Sequence, residues 1–359
     1  MRGIGKHPCQ ENHPVPKSVA RVGVNGFGVI GKRVAEAITK QKDMKLVGVS
    51  DVVGDYRVKL GQNKGFEIYA SIPDKLPDMK KSGVEVAGTL EDLLRKIDVI
   101  IDCTPAGLGA KNKVLYDKVG VKSIFQGGEK HDLTGSSFVA QCNFEENLNR
   151  PATRVVSCNT TGICRTVGTL FSTIGVKKAR VVLFRRGTDP WESHKAGLIN
   201  TVVPEAHIPS HQGPDAQTIL PKLNITTMAA KGPFNLGHLH FAMVQLKGEV
   251  EKKDVLKALR SAPRLAPVRN SDGVDSMNAV AEMMRDLGRP RADMWEVAYW
   301  EDILDVTDSE ASLVYQVHNE SVVVPENVDA VRALTGLETE GRRSISKTNE
   351  ALGISSKFL

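Results

Sequence analysis

An apolar run, Ala20 to Asn25, leads into Gly26-Phe27-Gly28-Val29-Ile30-Gly31 and then into a helical stretch, Lys32 to Lys40. No other feature narrows the possible folds of this chain so far. Strand, GxGxxG and helix in that order, followed by a second strand over Lys45 to Ser50, describe the opening of a dinucleotide-binding βαβ unit. Gly26 allows the tight turn, Gly28 lets backbone approach a pyrophosphate, and Gly31 lets helix and strand pack closely. Asp51 ends the second strand at the distance where an acid accepts from the adenosine ribose 2′-hydroxyl and repels a 2′-phosphate, which favours NAD over NADP. Arg57 and Lys59 follow shortly and are near enough in sequence to meet a 2′-phosphate instead.

The α/β rhythm continues. Leu90 to Lys96 and Ala110 to Val119 have helical patterns, and Asp98 to Asp102 and Lys122 to Gln126 read as strands. The loops after these strands, Cys103 to Gly107 and Gly127 to Lys130, are expected to line a cofactor crevice, because ligands of open parallel sheets bind beyond the carboxyl ends of the strands.

A second stretch carries the reactive chemistry. Thr153 to Ser157 reads as a strand, and Ile163, Val167, Leu170 and Ile174 mark the helix that follows. Cys158 therefore falls where a helix is about to start, and the unpaired N–H groups and dipole there favour its thiolate. Ser157, Asn159, Thr160 and Thr161 are side chains that hold such a turn or donate to an oxyanion. Beyond it, Lys178 to Phe184 is a strand ending in Arg185-Arg186-Gly187, and paired guanidinium forks at a strand end suit phosphate groups. Thr188 to Pro221, with His194, His207, His211 and Gln212, reads as a long polar loop.

Asn224 to Ala230 and His238 to Leu246 are strand-like, and the period of two puts His238 and His240 on one face. Helices are expected over 251–261 and 278–287, strands over Glu296 to Val306 and Leu313 to Val317, and terminal helices over Val328 to Leu334 and Ser344 to Leu352. The fold class is α/β: a Rossmann-type parallel-sheet cofactor domain (19–157) plus an α+β catalytic domain on a mostly antiparallel sheet (158–320). Residues 321–359 form C-terminal helices, and 1–18 a flexible tail.

Composition excludes several alternatives. No apolar run approaches the ~20 residues of a membrane helix. The net charge of +6 is spread along the chain, which suits an anionic ligand, and no nucleic-acid-binding motif accompanies it. The cysteines number five, without a CxxC pair or a secretory leader. That argues for free thiols in a reducing cytoplasm and against a zinc site, so no metal is expected. Cys103 and Cys164 are expected to serve packing.

A nicotinamide cofactor, a thiol at a helix start, candidate bases at His211 and His238 and paired arginines serve one reaction. The thiolate adds to an aldehyde, a histidine takes the hydroxyl proton while hydride leaves for the nicotinamide, and water or phosphate attacks the resulting thioester. The segments RVVSCNTTGICRT, VGVNGFGVIGKRV, FQGGEKH, FRRGTDP, PSHQGPD and VVPENVDAVRA together closely resemble the archaeal-type glyceraldehyde-3-phosphate dehydrogenases, over residues 20 to about 352.

The resemblance implies oxidation of glyceraldehyde 3-phosphate with inorganic phosphate and NAD or NADP to 1,3-bisphosphoglycerate, a reaction of glycolysis and gluconeogenesis, by a homotetramer. It also implies that the C-terminal helix returns to the cofactor domain. By motif, Cys158 matches the nucleophile, with Ser157 and Asn159 beside the substrate, and His238 matches the catalytic histidine. Val29 and Ile30 match the phosphate-binding turn, and Gly128 a cofactor-loop glycine. Arg186 matches a cofactor- or phosphate-contacting arginine, His211 a substrate-phosphate contact, and Asn319 the polar residue at the nicotinamide amide. The chain departs from the family at Gln212, where many members have a second histidine, and at Asp51, where many have lysine. A semialdehyde dehydrogenase acting on a carboxylate-bearing aldehyde, and a non-catalytic dinucleotide- or RNA-binding protein, remain as rival readings.

Overall fold

The computed structural model describes residues 19–126 and 128–359. The expected tail 1–18, with Cys9, and Gly127 of the second crevice loop lie outside the described residues. The chain begins with β1 (Ala20–Asn25), α1 (Val29–Thr39), β2 (Met44–Asp51), α2 (Tyr56–Asn63), β3 (Ile68–Ala70), α3 (Leu76–Lys81), β4 (Val86–Thr89) and α4 (Leu90–Leu94). It continues with β5 (Val99–Asp102), α5 (Gly109–Val119), β6 (Lys122–Gln126), β7 (Ser137–Phe138), α6 (Ala140–Asn143) and β8 (Ala152–Val155). These strands form one eight-stranded sheet in the order β4-β3-β2-β1-β5-β6-β8-β7. Every pairing in it is parallel.

Helices cover a parallel sheet on both faces, so its central strands are apolar almost throughout. Val99, Ile100 and Ile101 of β5 are all buried, as are Val22 and Val24 of β1. The strand order reverses between β1 and β5, so their carboxyl ends bound a crevice.

The second half runs through α7 (Cys158–Thr173), β9 (Val176–Arg186), α8 (Ser193–Ala196), β10 (Val203–Pro204), α9 (Gln212–Gln217), β11 (Ile225–Gly232) and β12 (His238–Leu246). Then come α10 (Lys252–Ser261), β13 (Leu265–Val268), α11 (Met277–Asp286), β14 (Val297–Trp300), β15 (Asp305–Thr307), β16 (Glu310–Val317), α12 (Val324–Thr335) and α13 (Gly341–Leu352). The sheet order is β10-β11-β9-β12-β16-β14-β13, with β15 on β16. β11–β9 and β13–β14 are parallel and the other pairings antiparallel. Here the strands alternate: in β12, His238, His240, Ala242, Val244 and Leu246 turn inward while Phe241 and Gln245 face out. The inner face packs on α7 through Ile163, Val167 and Leu170.

Two expectations are corrected. Thr188 to Pro221 is not a structureless loop: it contains α8, β10 and α9. These are short elements fixed by distant partners, as where Ser210 N–H donates to the Thr227 carbonyl (2.8 Å) and Gly213 N–H to Thr227 Oγ1 (3.0 Å). Glu296 to Val306 is two strands, broken by a turn. No helix among the described residues is long and apolar enough to cross a membrane.

Helix α12 is the joint of the molecule. Each residue from Val324 to Leu334 is buried. Its apolar side chains pack on the first sheet's core, and its charges are matched in place. Glu326 accepts from Arg165 of α7 (2.5 Å) and Arg264 (3.1 Å), and Arg332 donates to Asp43 (2.7 Å). Removing one partner of such a buried pair leaves an uncompensated charge. The helix that starts at Cys158 is therefore held from below by an element that also grips the first sheet.

Candidate active site

The turn after β1 is built by subtraction. Gly26 has φ +90°, and a Cβ there would lie 2.8 Å from the carbonyl carbon of Cys103 at the end of β5. A Cβ on Gly31 would lie 1.9 Å from the Gly26 oxygen. Gly26 thus makes the tight turn and Gly31 the close packing. Gly28 differs: a Cβ there would meet nothing within 4 Å. It is the N-cap of α1, with no capping side chain and no acid in the first turn. Free N–H groups, the helix dipole and a bare backbone together fit a pyrophosphate.

Asp51 stands at the lip of the same cleft. One carboxylate oxygen accepts from Phe27 N–H (2.8 Å) in the glycine turn, the other from Val52 N–H (2.7 Å). The cleft, about 780 Å³, is lined by Gly26, Gly28, Val29, Ile30, Asp51 and Arg57 at one end. Gly128, Ser157, Cys158, Arg186 and Asn319 line the other. Lys59, an alternative partner for a 2′-phosphate, is exposed and is not among these.

At the far end Cys158 is the first residue of α7. Ser157 is its N-cap, with Oγ accepting from Thr160 N–H (3.3 Å). His238 starts β12, and its Nε2 lies 3.3 Å from Cys158 Sγ. On the other side of the ring, Arg186 N–H donates to Nδ1 at 3.1 Å. A ring nitrogen that accepts a backbone N–H carries no proton, so the neutral imidazole has its hydrogen on Nε2 and points it at the sulfur. Burial, and then the Arg186 charge, hold His238 well below the usual histidine range. In this arrangement the neutral ring is a hydrogen-bond donor toward the sulfur.

Burial pushes the Cys158 thiol up, and the pull of Arg186, Arg185 and the Asn159 N–H only partly offsets it.

The neighbouring side chains sort into those that face the cleft and those that brace it. Thr160 is fully buried and donates to Asp215 (2.7 Å), which also pairs with Arg154, so Thr160 holds the turn rather than a substrate. Asn159 is buried too, with its Oδ1 2.8 Å from Nε2 of His240. Burial holds His240 down to about 3, so it is neutral. The strand period thus sets two successive inward histidines of β12 against two successive residues of α7.

The two arginines diverge. Arg186 lines the cleft and pairs with Asp189 (2.7 Å), which also accepts from Asn319 Nδ2 (3.1 Å). Asn319 Oδ1 takes Gly237 N–H (2.8 Å). Arg185 instead pairs with Glu205, which lies 3.7 Å from His211 Nδ1. Arg185 and His211 are thus brought together, away from the nucleotide end. Gln212 is fully buried and its carboxamide has no partner among the described residues. Sequence reasoning missed Asp189, Glu205 and Asp215 as the acids that orient these groups. Asp189 and Asp215 lay in the quoted FRRGTDP and PSHQGPD segments, and their partners were invisible there. Cys103 and Cys164 serve packing, with Cys164 fully buried.

Comparison with known proteins agrees with this geometry. Residues 157–289 match the family model described as glyceraldehyde 3-phosphate dehydrogenase, C-terminal domain. Residues 20–126 match that described as dihydrodipicolinate reductase, N-terminus. The glyceraldehyde-3-phosphate dehydrogenase of Methanobacterium bryantii is 45% identical over 335 residues, 93% of this chain and 99% of the relative. Glyceraldehyde-3-phosphate dehydrogenase 1 of Methanosarcina barkeri is 45% identical over 339 residues, 94% and 99% of the two chains. The enzyme of that name from Methanothermus fervidus is 44% identical over 334 residues, 93% and 98%.

Proposed function

The chain belongs to the glyceraldehyde-3-phosphate dehydrogenase family, and from that premise we propose that it oxidises glyceraldehyde 3-phosphate with inorganic phosphate to 1,3-bisphosphoglycerate through a thioester on Cys158. The observation that carries this reading is the Cys158–His238 pair, 3.3 Å apart, at the start of a helix that opens on the same cleft as the glycine turn.

Residues 19–157 bind the dinucleotide. Gly28, Val29 and Ile30 hold its phosphates, Asp51 its ribose hydroxyls, and Arg186, Gly128 and Asn319 line its nicotinamide end. On the Asp51 charge argument NAD is preferred over NADP. When bound, the nicotinamide supplies a hydride acceptor.

Cys158 loses its proton to solvent and attacks the aldehyde carbon. The new C–S bond leaves an alkoxide, and His238 Nε2–H donates to that oxygen without giving up its proton. Hydride leaves the same carbon and the thioester forms. Phosphate attacks it and the thiolate departs. Arg185 and His211 hold phosphate groups in this scheme, and residues 158–320 form the catalytic domain, with 321–359 as its brace to the first.

The outward face of the second sheet exposes Phe184, Phe241 and Met228, with Phe184 and Phe241 in edge contact (6.0 Å). That apolar face supports a homo-oligomer, read as a tetramer by resemblance. Cytoplasmic location follows from the free-thiol argument.

The test is reduced-nicotinamide formation from glyceraldehyde 3-phosphate and phosphate, with NAD and NADP in separate runs and Cys158→Ser as blank. Phosphate-dependent signal that vanishes in the variant is expected. Turnover of aspartate semialdehyde instead would overturn the substrate assignment.

A further inference from the structure

Trp191 stands in the turn after β9, on the catalytic half of the chain, yet it lines the cleft beside Asp51 and Arg57 of the nucleotide half. The Arg57 guanidinium lies 5.2 Å from the centre of its ring, and the Lys195 ammonium 5.4 Å. Both distances are in the range where a cation is attracted to an indole face. Arg57 is held from its edge as well: Nε and Nη2 both donate to Asp55 Oδ2, at 2.8 and 2.5 Å. Asp55 is the N-cap of α2 and accepts from Arg57 N–H, so it is fixed in turn. Among the described residues, the one cation of the adenosine end that lines the cleft is thus engaged on its edge by Asp55 and on its face by Trp191.

We propose that Trp191 is a specificity-determining residue that acts through Arg57, holding the guanidinium away from the ribose 2′ position so that the cleft selects a 2′-hydroxyl over a 2′-phosphate. A 2′-hydroxyl needs one acceptor, and Asp51 provides it. A 2′-phosphate brings about two negative charges toward the Asp51 carboxylate. It gains a partner only if Arg57 leaves Trp191 and Asp55. Releasing Arg57 by removing the indole therefore favours NADP more than NAD. This rests on the dinucleotide reading of the cleft but not on the identity of the aldehyde.

The experiment is a titration of the full chain with NADH and with NADPH, followed by dinucleotide fluorescence without substrate. It compares wild type, Trp191→Ala, Trp191→Phe, Arg57→Gln and the Trp191→Ala/Arg57→Gln double variant. The expected result is a fall in the NADPH-to-NADH ratio of Kd by about two- to fivefold in Trp191→Ala, the range of an exposed cation–π contact. Trp191→Phe falls between, and Trp191→Ala has no effect on the ratio in the Arg57→Gln background. An equal change for both dinucleotides, or the same change with and without Arg57, overturns the proposal. A wild type that binds neither dinucleotide overturns it together with the cofactor reading. Intact binding without glyceraldehyde 3-phosphate turnover sinks only the reaction.

The titration has a second readout. Trp295 and Trp300 are 7% and 4% exposed and Trp191 41%, so the difference between wild type and Trp191→Phe isolates the emission of Trp191. That emission is expected to change as NADH fills the cleft; a constant signal overturns the placement of Trp191 in its wall.

Discussion

Two helices, α1 and α7, begin at the same cleft and solve opposite problems. α1 starts at a glycine, without a capping side chain, beside a position where a Cβ would meet only space. α7 starts with a serine cap and a cysteine. Around it, Thr160, Asp215 and Arg154 brace the turn, and His238 and His240 are matched to its first two residues. Both ends offer N–H groups and a positive dipole. A polyanion such as a pyrophosphate needs room and donors, so the first end is stripped of side chains. A single thiol needs a fixed position and a fixed donor, so the second is crowded with them. Substitutions at α7 are therefore expected to change turnover and leave dinucleotide binding alone, and substitutions at Gly28 the reverse.

The largest expected effect tests the chemical end. Cys158→Ser should lower kcat by at least about 10⁴-fold, as losing a nucleophile does elsewhere. NADH affinity by fluorescence titration should stay within about twofold. If both collapsed together, the two helix ends would not be separable.

His238 comes next, and the replacement matters more than the loss. As a donor to the alkoxide, its removal in His238→Ala should reduce kcat by about 10²–10³-fold. His238→Gln keeps an N–H donor on a side chain of similar reach and should recover a measurable part of that. A base would not be rescued, because an amide cannot accept the proton. Equal rates for the Gln and Ala variants would make His238 the base expected from sequence and not a donor.

How far these two ends were legible in the sequence follows from what each is made of. The glycine turn is local. Its strand, glycines and helix lie within residues 20–40, and the reason for each glycine is a turn or a close approach that spacing alone announces. The cysteine was legible for the same reason, as the junction of a strand and a helix. Its histidine lies 80 residues away and was reached by motif and by the period of two in β12. Which nitrogen of that ring holds the proton depends on Arg186 N–H, 52 residues away, and no pattern signals it.

Likewise Asp189 and Asn319 meet across 130 residues. β3, at three residues, is too short to show a period, and α9 is fixed by Thr227 rather than by its own pattern. Burial of the Cys158 thiol, which opposes the helix end and two arginines, is likewise not readable from a dipole argument on sequence.

At the nucleotide end, Gly28→Asp should weaken NADH binding by roughly five- to thirtyfold. This is the one to two kcal/mol that a charge near a partly buried helix end is worth, here applied against the ligand. The thermal midpoint should barely move, since the new Cβ meets no protein atom. Gly31→Ala makes the opposite pattern, because its Cβ would collide with the Gly26 oxygen, and a fall in thermal midpoint is expected. A Gly28→Asp variant that unfolds, or binds NADH as well as wild type, would break the claim that α1 is left bare for a ligand.

The smallest effect joins the two ends, because Arg186 lines the cleft and also bears on the thiol. Its charge is the largest of the influences that pull the Cys158 thiol down against burial. The thiolate is the attacking form, so kcat/KM for the aldehyde should rise with pH as the thiol ionises. In Arg186→Gln the thiolate loses a positive neighbour and the thiol titrates at higher pH. The rising limb should move to higher pH, with activity a few-fold lower near neutrality, consistent with loss of one partly screened charge. It should largely recover on the alkaline side at saturating dinucleotide. A uniform loss at every pH would mean that Arg186 serves only to bind, and that the thiol is poised without it, by Arg185 and the helix end.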